Sequence, residues 1–369
     1  MIGFKGFNKD FTCRDMKYKI GEIYKEVFRP ILCEKGFHFC KFPLDVFYYY
    51  PPEYHSKYAL VETDIQNTGA IPPYPDDSKI VTNKIKIIKE LSIKDMIDET
   101  NKMIEDDTFE GGSLLIQLFY NLHKSSILIN KLRDNVKNTK VAISKLRNSL
   151  VYSNFIRSMS IASSRTSVAI NSGENSLSVS KGCSICSGDN SVAVKMFDDG
   201  DYSYSITTGD NSISIVEGFG NCISTGKNSI CVANRSNELG INVLSKGDNS
   251  IISSTGRNAD LTADGDNSTI VHYGYSDAKL IANGKNSICI FYGVEFDEKN
   301  DPDFCKKDYI RFKGKLGTLF IAPKYNKVYD EDRNLISIKK EFVIKVVDNE
   351  EIFEDVEYYY EDGNFHKVL

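Results

Sequence analysis

The sequence predicts a mainly β protein. Its centre is a β-solenoid with about 18 residues per coil, flanked by an N-terminal α+β domain and a C-terminal β-meander cap. Three observations carry that expectation. Gly188-Asp189-Asn190-Ser191-Val192 returns at residues 209–213, 226–230, 247–251, 265–268 and 284–288, with Lys in place of Asp twice. Between residues 148 and 290, steps such as Ser176-Leu177-Ser178-Val179 and Ser212-Ile213-Ser214-Ile215 recur about every 9 residues. Alternation over four residues describes a very short strand, which cannot bury a face alone and must stack on copies of itself. Both ends of the chain lack the repeat and read as ordinary strand and helix patterns.

The bulk numbers set bounds. A chain of 369 residues with 41% apolar content supports two or three domains and a real core. Net charge runs from +3 over residues 1–147 to −3 over 148–290 and −5 over 291–369. None of these is a nucleic-acid-binding balance. The opening Met1-Ile2-Gly3-Phe4-Lys5 has no basic region followed by an apolar core, and no stretch approaches a membrane span. Nine cysteines without an export signal read as reduced thiols, so a cytoplasmic location is expected.

Residues 1–110 form the expected N-terminal domain. Strand signals fall at Phe4–Phe7, Tyr18–Tyr24, Tyr58–Ile65 and, as one long strand, Lys79–Leu91. Ser92-x-x-Asp95 opens a helix to about Asp107 in the manner of a capping box. Cys13, Cys33, His38 and Cys40 are chemically a legitimate zinc set, but two ligands crowd within His38-x-Cys40. Small buried cysteines beside packed aromatics are the favoured reading, and no metal or cofactor is expected.

Residues 111–147 read as a transition that caps the solenoid core. Leu114, Leu115, Leu118, Phe119 and Leu122 have helical spacing, yet the segment also looks like degenerate coils. In the solenoid, residues 148–290, stacked Asn side chains are expected to hydrogen-bond up the ladder. A longer period of about 38 residues places three enlarged loops on one edge. Those loops supply the candidate binding residues: Phe197, Asp198, Asp199 and Asp201, then Asn234, Arg235, Asn237 and Glu238, then His272, Tyr273 and Tyr275. The residue before each corner Asn alternates between acid and Lys, which excludes a calcium ligand there.

Residues 291–369 read as a C-terminal β cap with Asp362-Gly363 as a hairpin turn. Asp348 to Asp362 holds eight acids and no base. Its candidate binding residues are Glu354, Asp355, Glu357, Tyr358, Tyr359 and Tyr360, facing a cationic partner.

Taken together, the three parts resemble uncharacterised repeat proteins of gut bacteria and their phages, which carry an N-terminal domain of unknown function. The motifs are Lys5-Gly6-Phe7-Asn8-Lys9-Asp10 with Thr12-Cys13-Arg14, Cys33-x-x-Gly36-Phe37-His38 with Cys40, and Pro43-Leu44-Asp45-Val46 with Tyr49-Tyr50. Gly317 to Ile321 and Asp362 to Phe365 match the family's C-terminal strand and hairpin. The chain departs from the family in larger, less regular repeats and in lacking Trp. The stacked loops and the absence of an assembled catalytic set point to a non-enzymatic binder acting through a macromolecular partner, and the family's phage association implies an inhibitor of a host defence nuclease or CRISPR-type system. It also leaves room for a structural particle component. The early strand, the Gly-Phe-His turn and the strand bearing Glu62 further resemble ADP-ribosyltransferase domains, which implies NAD use, although that family's Ser-Thr-Ser and Glu-x-Glu motifs are missing. The repeats resemble trimeric adhesin heads too, but with a different step. The expected partner is a protein, with direct nucleic-acid or membrane binding disfavoured and a homo-oligomer left open.

Overall fold

The structure is a computed structural model. It describes residues 1–69, 78–105, 129–130, 141–144, 150–154, 156–162, 168–196, 203–218, 220–234, 240–256, 258–274, 278–293, 310–329, 335–361 and 363–368. The chain divides into two compact units, Met1–Ser187 and Gly188–Leu369. The architecture is mainly β: an N-terminal α+β domain, then a β-solenoid of about 7 turns spaced about 18 residues apart. Among the described residues, no helix is long and apolar enough to cross a membrane, and eight cysteines are free thiols.

In the first unit, a six-stranded antiparallel sheet has the order Ile23–Lys25, Lys84–Leu91, Lys57–Glu62, Ile2–Phe7, Phe37–Cys40, Lys79–Thr82. The single strand expected over Lys79–Leu91 is two strands, split at Asn83. One pairs with Phe37–Cys40 and the other with Lys57–Glu62. Asn83 leaves the ladder because its N–H donates to the Asn67 carbonyl at 3.0 Å. Of the stretch expected as a strand at Tyr18–Tyr24, only Ile23 and Tyr24 lie in a strand. The helix spans Ile93–Glu105, and its capping box is present: Ser92 N–H donates to Asp95 Oδ2 at 2.8 Å, and Asp95 N–H donates to Ser92 Oγ at 3.0 Å. Phe7, Ala59, Ile85 and Ile87 are fully buried at the centre of the domain core. Apart from Ile129–Asn130 and Val141–Ser144, which are strands, the transition segment 111–147 lies outside the described residues.

Solenoid coils of this unit stack in parallel register, Met159–Ala162 on Leu177–Ser180 in one sheet and Val168–Asn171 on Cys183–Cys186 in the other. The second unit repeats the arrangement. Val192–Lys195, Ile213–Glu217, Ile230–Asn234, Ile251–Gly256, Thr269–Gly274 and Ile288–Phe291 follow one another in one sheet. The facing sheet runs from Tyr204–Thr207 to Ala278–Ala282.

The corner motif explains the ladder. Each corner Asn adopts a left-handed backbone (φ 53–55° at Asn190, Asn211, Asn228, Asn249, Asn267 and Asn286), which Asn tolerates better than other side chains. Asn228 Nδ2 donates to Asn211 Oδ1 at 3.1 Å, and Asn249 Nδ2 to Asn228 Oδ1 at 3.2 Å. The preceding position makes its own ladder. Asp189 Oδ1 accepts the N–H of Asp210, Asp210 Oδ1 that of Lys227, and Asp266 Oδ1 that of Lys285. The upper residue offers only its backbone N–H, which admits Lys at 227 and 285; above Lys227 the carboxylate–amide bond gives way to an ion pair, Lys227 Nζ to Asp248 Oδ2 at 3.9 Å.

The two faces of the short strands are distributed otherwise than small-outside, apolar-inside. In the sheet from Val192 to Phe291, the buried positions of the early coils are mostly small: Ala193, Ser214, Cys231 and Ala233. The large residues Ile213, Ile215, Ile230 and Val232 face outward and are only partly buried. The reason is the narrow gap between sheets. Ser205 Oγ donates to the Ala193 carbonyl at 2.8 Å, and Ser214 Oγ to the Ser205 carbonyl at 2.8 Å. At Ala193 and Ser214 the facing backbones lie one Ser side chain apart, so no Ile fits there, whereas the larger Lys195 and Val216 are buried on the same face two residues further along. The gap widens toward the C-terminal end, where Ile252, Ile270, Leu261 and Leu280 fill it.

The C-terminal strands extend the two solenoid sheets. Tyr358–Glu361 pairs antiparallel with Ile310–Gly314, and Asn364–Lys367 follows it through the turn containing Gly363. Leu319–Tyr329 and Leu335–Val346 form a long antiparallel pair at the end of the other sheet. Phe312, Phe320 and Phe365, with ring centroids 5.2–5.8 Å apart, plug the end of the core.

Candidate ligand cavity

A cavity of about 600 Å³ lies in the N-terminal domain, a size suited to a small molecule. The first strand forms its floor. Lys5 and Phe7 share one face of that strand, two residues apart, and so point the same way into the domain. Phe7 is fully buried and Lys5 is 3% exposed. Gly6 is required on the other face, because a Cβ there would lie 2.5 Å from the Tyr50 ring. The Tyr50 backbone is fixed in turn, since Tyr58 Oη donates to the Tyr50 carbonyl at 2.8 Å.

Lys5 Nζ donates to the His38 carbonyl at 2.9 Å and lies 3.6 Å from Cys13 Sγ. Tyr50 Oη donates to the same sulfur at 3.0 Å. The Phe7 and Tyr18 rings stand 5.4 and 5.5 Å from the ammonium. Burial depresses the Lys5 pKa below the ordinary lysine value, opposed chiefly by the Cys13 thiol. Among the described residues, no carboxylate forms an ion pair with Lys5. Burial, together with a hydrogen bond from Tyr50 to Cys13, raises the Tyr50 phenol well above its usual range.

His38 occupies the wall. Its Nε2 accepts the N–H of Cys33 at 2.9 Å, which closes the turn in which Cys33 and Gly36 take positive φ (66° and 112°). Burial, then the charges of Lys5, Arg14 and Lys79, push His38 down to about 4, so it is neutral near pH 7. Arg14, Lys35 and Lys79 share the lining with the carboxylates Asp15, Glu26 and Glu34 and with Tyr18, Phe37 and Tyr49, so the cavity is aromatic, of mixed charge and partly open.

The four residues of the zinc set all line this cavity; His38 Nε2 is taken by the Cys33 N–H, and Cys13 Sγ meets Lys5 Nζ and Tyr50 Oη. Among the described residues, no group of three or more His, Cys, Asp or Glu could hold a metal ion. Glu62 ends its strand exposed and is not part of the lining. Sequence reasoning missed Lys5 as a site residue. The available signal was its alternation with Phe4 and Phe7 in a strand whose neighbours are all apolar or Gly.

The solenoid candidates are placed unevenly. Phe197, Asp198, Asp199, Asp201, Arg235, Asn237, Glu238 and Tyr275 lie outside the described residues. Asn234 Oδ1 accepts the Thr255 hydroxyl at 2.7 Å. His272 is fully buried, 2.8 Å from Ser254 Oγ and stacked on Phe291, so it belongs to the core. Tyr273 is 48% exposed and stacks on Tyr292. In the acidic tail, Glu357 pairs with Lys279 and Arg311, both at 3.0 Å, and Asp355 pairs with Lys315. Tyr358 and Tyr360 are buried, Tyr360 Oη donating to the Pro323 carbonyl at 3.0 Å, while Tyr359 stacks on His366. Glu354 N–H is held by Asn349 Oδ1.

These features define the class: a β-solenoid protein with an N-terminal α+β domain that encloses a cavity. Residues 1–99 match the family described as a domain of unknown function, DUF7666. No curated protein and no solved structure matches the chain. Most of the residues that carry the family resemblance in the N-terminal domain, Lys5, Gly6, Cys13, Arg14, Gly36 and Tyr50 among them, meet in this one cavity.

Proposed function

We propose that the protein is a ligand-binding scaffold whose DUF7666 domain takes a small anionic molecule in the Lys5 cavity. The observation that carries this is a cation, 3% exposed, set among aromatic rings with no carboxylate paired to it. A buried ammonium is costly unless an opposite charge offsets it. A phosphate or carboxylate entering the cavity supplies that charge; Arg14, Lys35 and Lys79 on the lining add to its attraction, and Asp15, Glu26 and Glu34 oppose it. The test is calorimetric titration of the full chain with inorganic phosphate, AMP and NAD, against the Lys5→Met variant. NAD is included because the strand bearing Lys5 and the Gly36-Phe37-His38 turn, which underlie the ADP-ribosyltransferase resemblance, both border the cavity.

A second reading, a protein partner at the loop edge of the solenoid, is supported by the half-exposed stack of Tyr273 on Tyr292, with Lys340 Nζ 3.7 Å from the Tyr292 centroid. Affinity capture with and without Tyr273→Ser tests it. That such a partner is a host defence nuclease, met in a phage setting, or that the protein is a particle component, rests on family resemblance alone.

A further inference from the structure

The outward face of the strands from Val192 onward is apolar along its centre, with Glu217 and Asn234 on the same face at the strand ends. Two columns of side chains run along it through the second unit, one from Val192 to Val346 and one from Val194 to Ile344. Of these sixteen positions, only Thr269 and Ser253 are polar, and none is charged. The residues are partly buried by neighbours in their own column, and Ile251, Ile344 and Val346 remain 45%, 58% and 43% exposed.

From this face we infer that the solenoid binds a second copy of the same chain along the two columns. The first argument is composition. A row of β-branched residues without a charge is what an interface core requires, whereas a monomer's solvated sheet alternates with polar residues. The second is size. Seven strand spacings give a length of about 34 Å, and two columns with their side chains span about 15 Å. The face therefore covers on the order of 500 Å² per copy, or about 1,000 Å² for a pair. That meets the threshold of about 1,000 Å² for a biological interface, at the weakly associating end, and lies near the limit of what monomers leave exposed. The third is periodicity. The ridges repeat at the strand spacing, and a second copy of this ladder carries ridges and grooves at the same interval. The narrow interior supplies the cause: side chains too large for the gap between sheets are displaced to the outside, where only association can bury them. This inference concerns the second unit and does not depend on the Lys5 cavity.

The test is the solution mass of the full chain by sedimentation across a concentration series. We compare wild type, the double variant Ile215→Lys/Ile290→Lys and the single variant Ser253→Arg. Ser253→Arg removes no apolar group, so it keeps the test open if the double variant fails to fold. Wild type is expected to be a dimer or larger, and folded Ser253→Arg is expected to be monomeric, with a dissociation constant raised at least tenfold. A monomeric wild type would overturn the inference, including one that instead floats with lipid vesicles. So would an oligomer that Ser253→Arg leaves intact, since the interface would then lie elsewhere.

Discussion

The ammonium of Lys5 and the hydroxyl of Tyr50 converge on one atom, the sulfur of Cys13, at 3.6 and 3.0 Å. Neither group reached that position through a local motif. Lys5 arrives from a strand, Tyr50 from the end of a short helix, and Gly6 lets the Tyr50 ring lie against the strand. The cavity is therefore a product of the tertiary fold.

Lys5→Met is expected to remain folded, because replacing a buried charge by an apolar group of similar length removes a desolvation cost. Anion affinity should fall at least tenfold, equivalent to about 1.4 kcal/mol. Circular dichroism and calorimetry on the same samples separate the two effects.

His38 makes the domain acid-sensitive. Its folded pKa is depressed to about 4 from 6.5, so the unfolded chain takes up a proton at higher pH than the fold does. The stabilising effect of its neutral form is fully present above about pH 6.5 and is lost as pH falls toward 4. Urea midpoints measured from pH 7.5 to 4.5 should decline for wild type, and His38→Asn should flatten that decline.

The corner ladder gives an ordered series. Asn228→Gly loses the side-chain bonds but keeps the left-handed backbone, at a cost of about 1 kcal/mol. Asn228→Ala adds backbone strain and should cost about 1 kcal/mol more. Gly226→Ala should be worst, since its Cβ would lie 2.0 Å from the Gly209 carbonyl oxygen, and a loss above about 3 kcal/mol is expected. Thermal melting ranks all three.

The inside-out strands predict a reversal of the usual mutational pattern. Ser214→Ile, at a fully buried small position, should destabilise by about 1–3 kcal/mol or prevent folding. Ile215→Ser, one residue on and facing outward, should cost under about 1 kcal/mol in the monomer. Denaturant titration of both variants decides the matter.

Much of the solenoid was legible in the sequence. Gly-Asp-Asn-Ser at fixed spacing carries its own corner geometry, and stacked Asn–Asn bonds follow from it. Which face of Ser212-Ile213-Ser214-Ile215 points inward was not legible. Period two specifies alternation, but parity depends on the distance to the facing sheet, set by Ser205 and Ala193 on other strands. The surroundings of the acidic tail were not legible for a related reason. Its excess charge is local in sequence, yet Lys279 and Arg311 meet Glu357 in space, and Tyr358 and Tyr360 are core. In the N-terminal domain, the cysteines and His38 were legible as a cluster. Their centre, Lys5, was not, because a lysine in a short strand ordinarily faces solvent and here its burial depends on Tyr18 and Phe7.

The most direct measurement is calorimetric titration of the full chain with inorganic phosphate, AMP and NAD at low and high salt. The account predicts saturable one-site binding of at least one of these anions, weakened by salt and lost in Lys5→Met. Absence of binding by all three, or equal affinity in Lys5→Met, would contradict it.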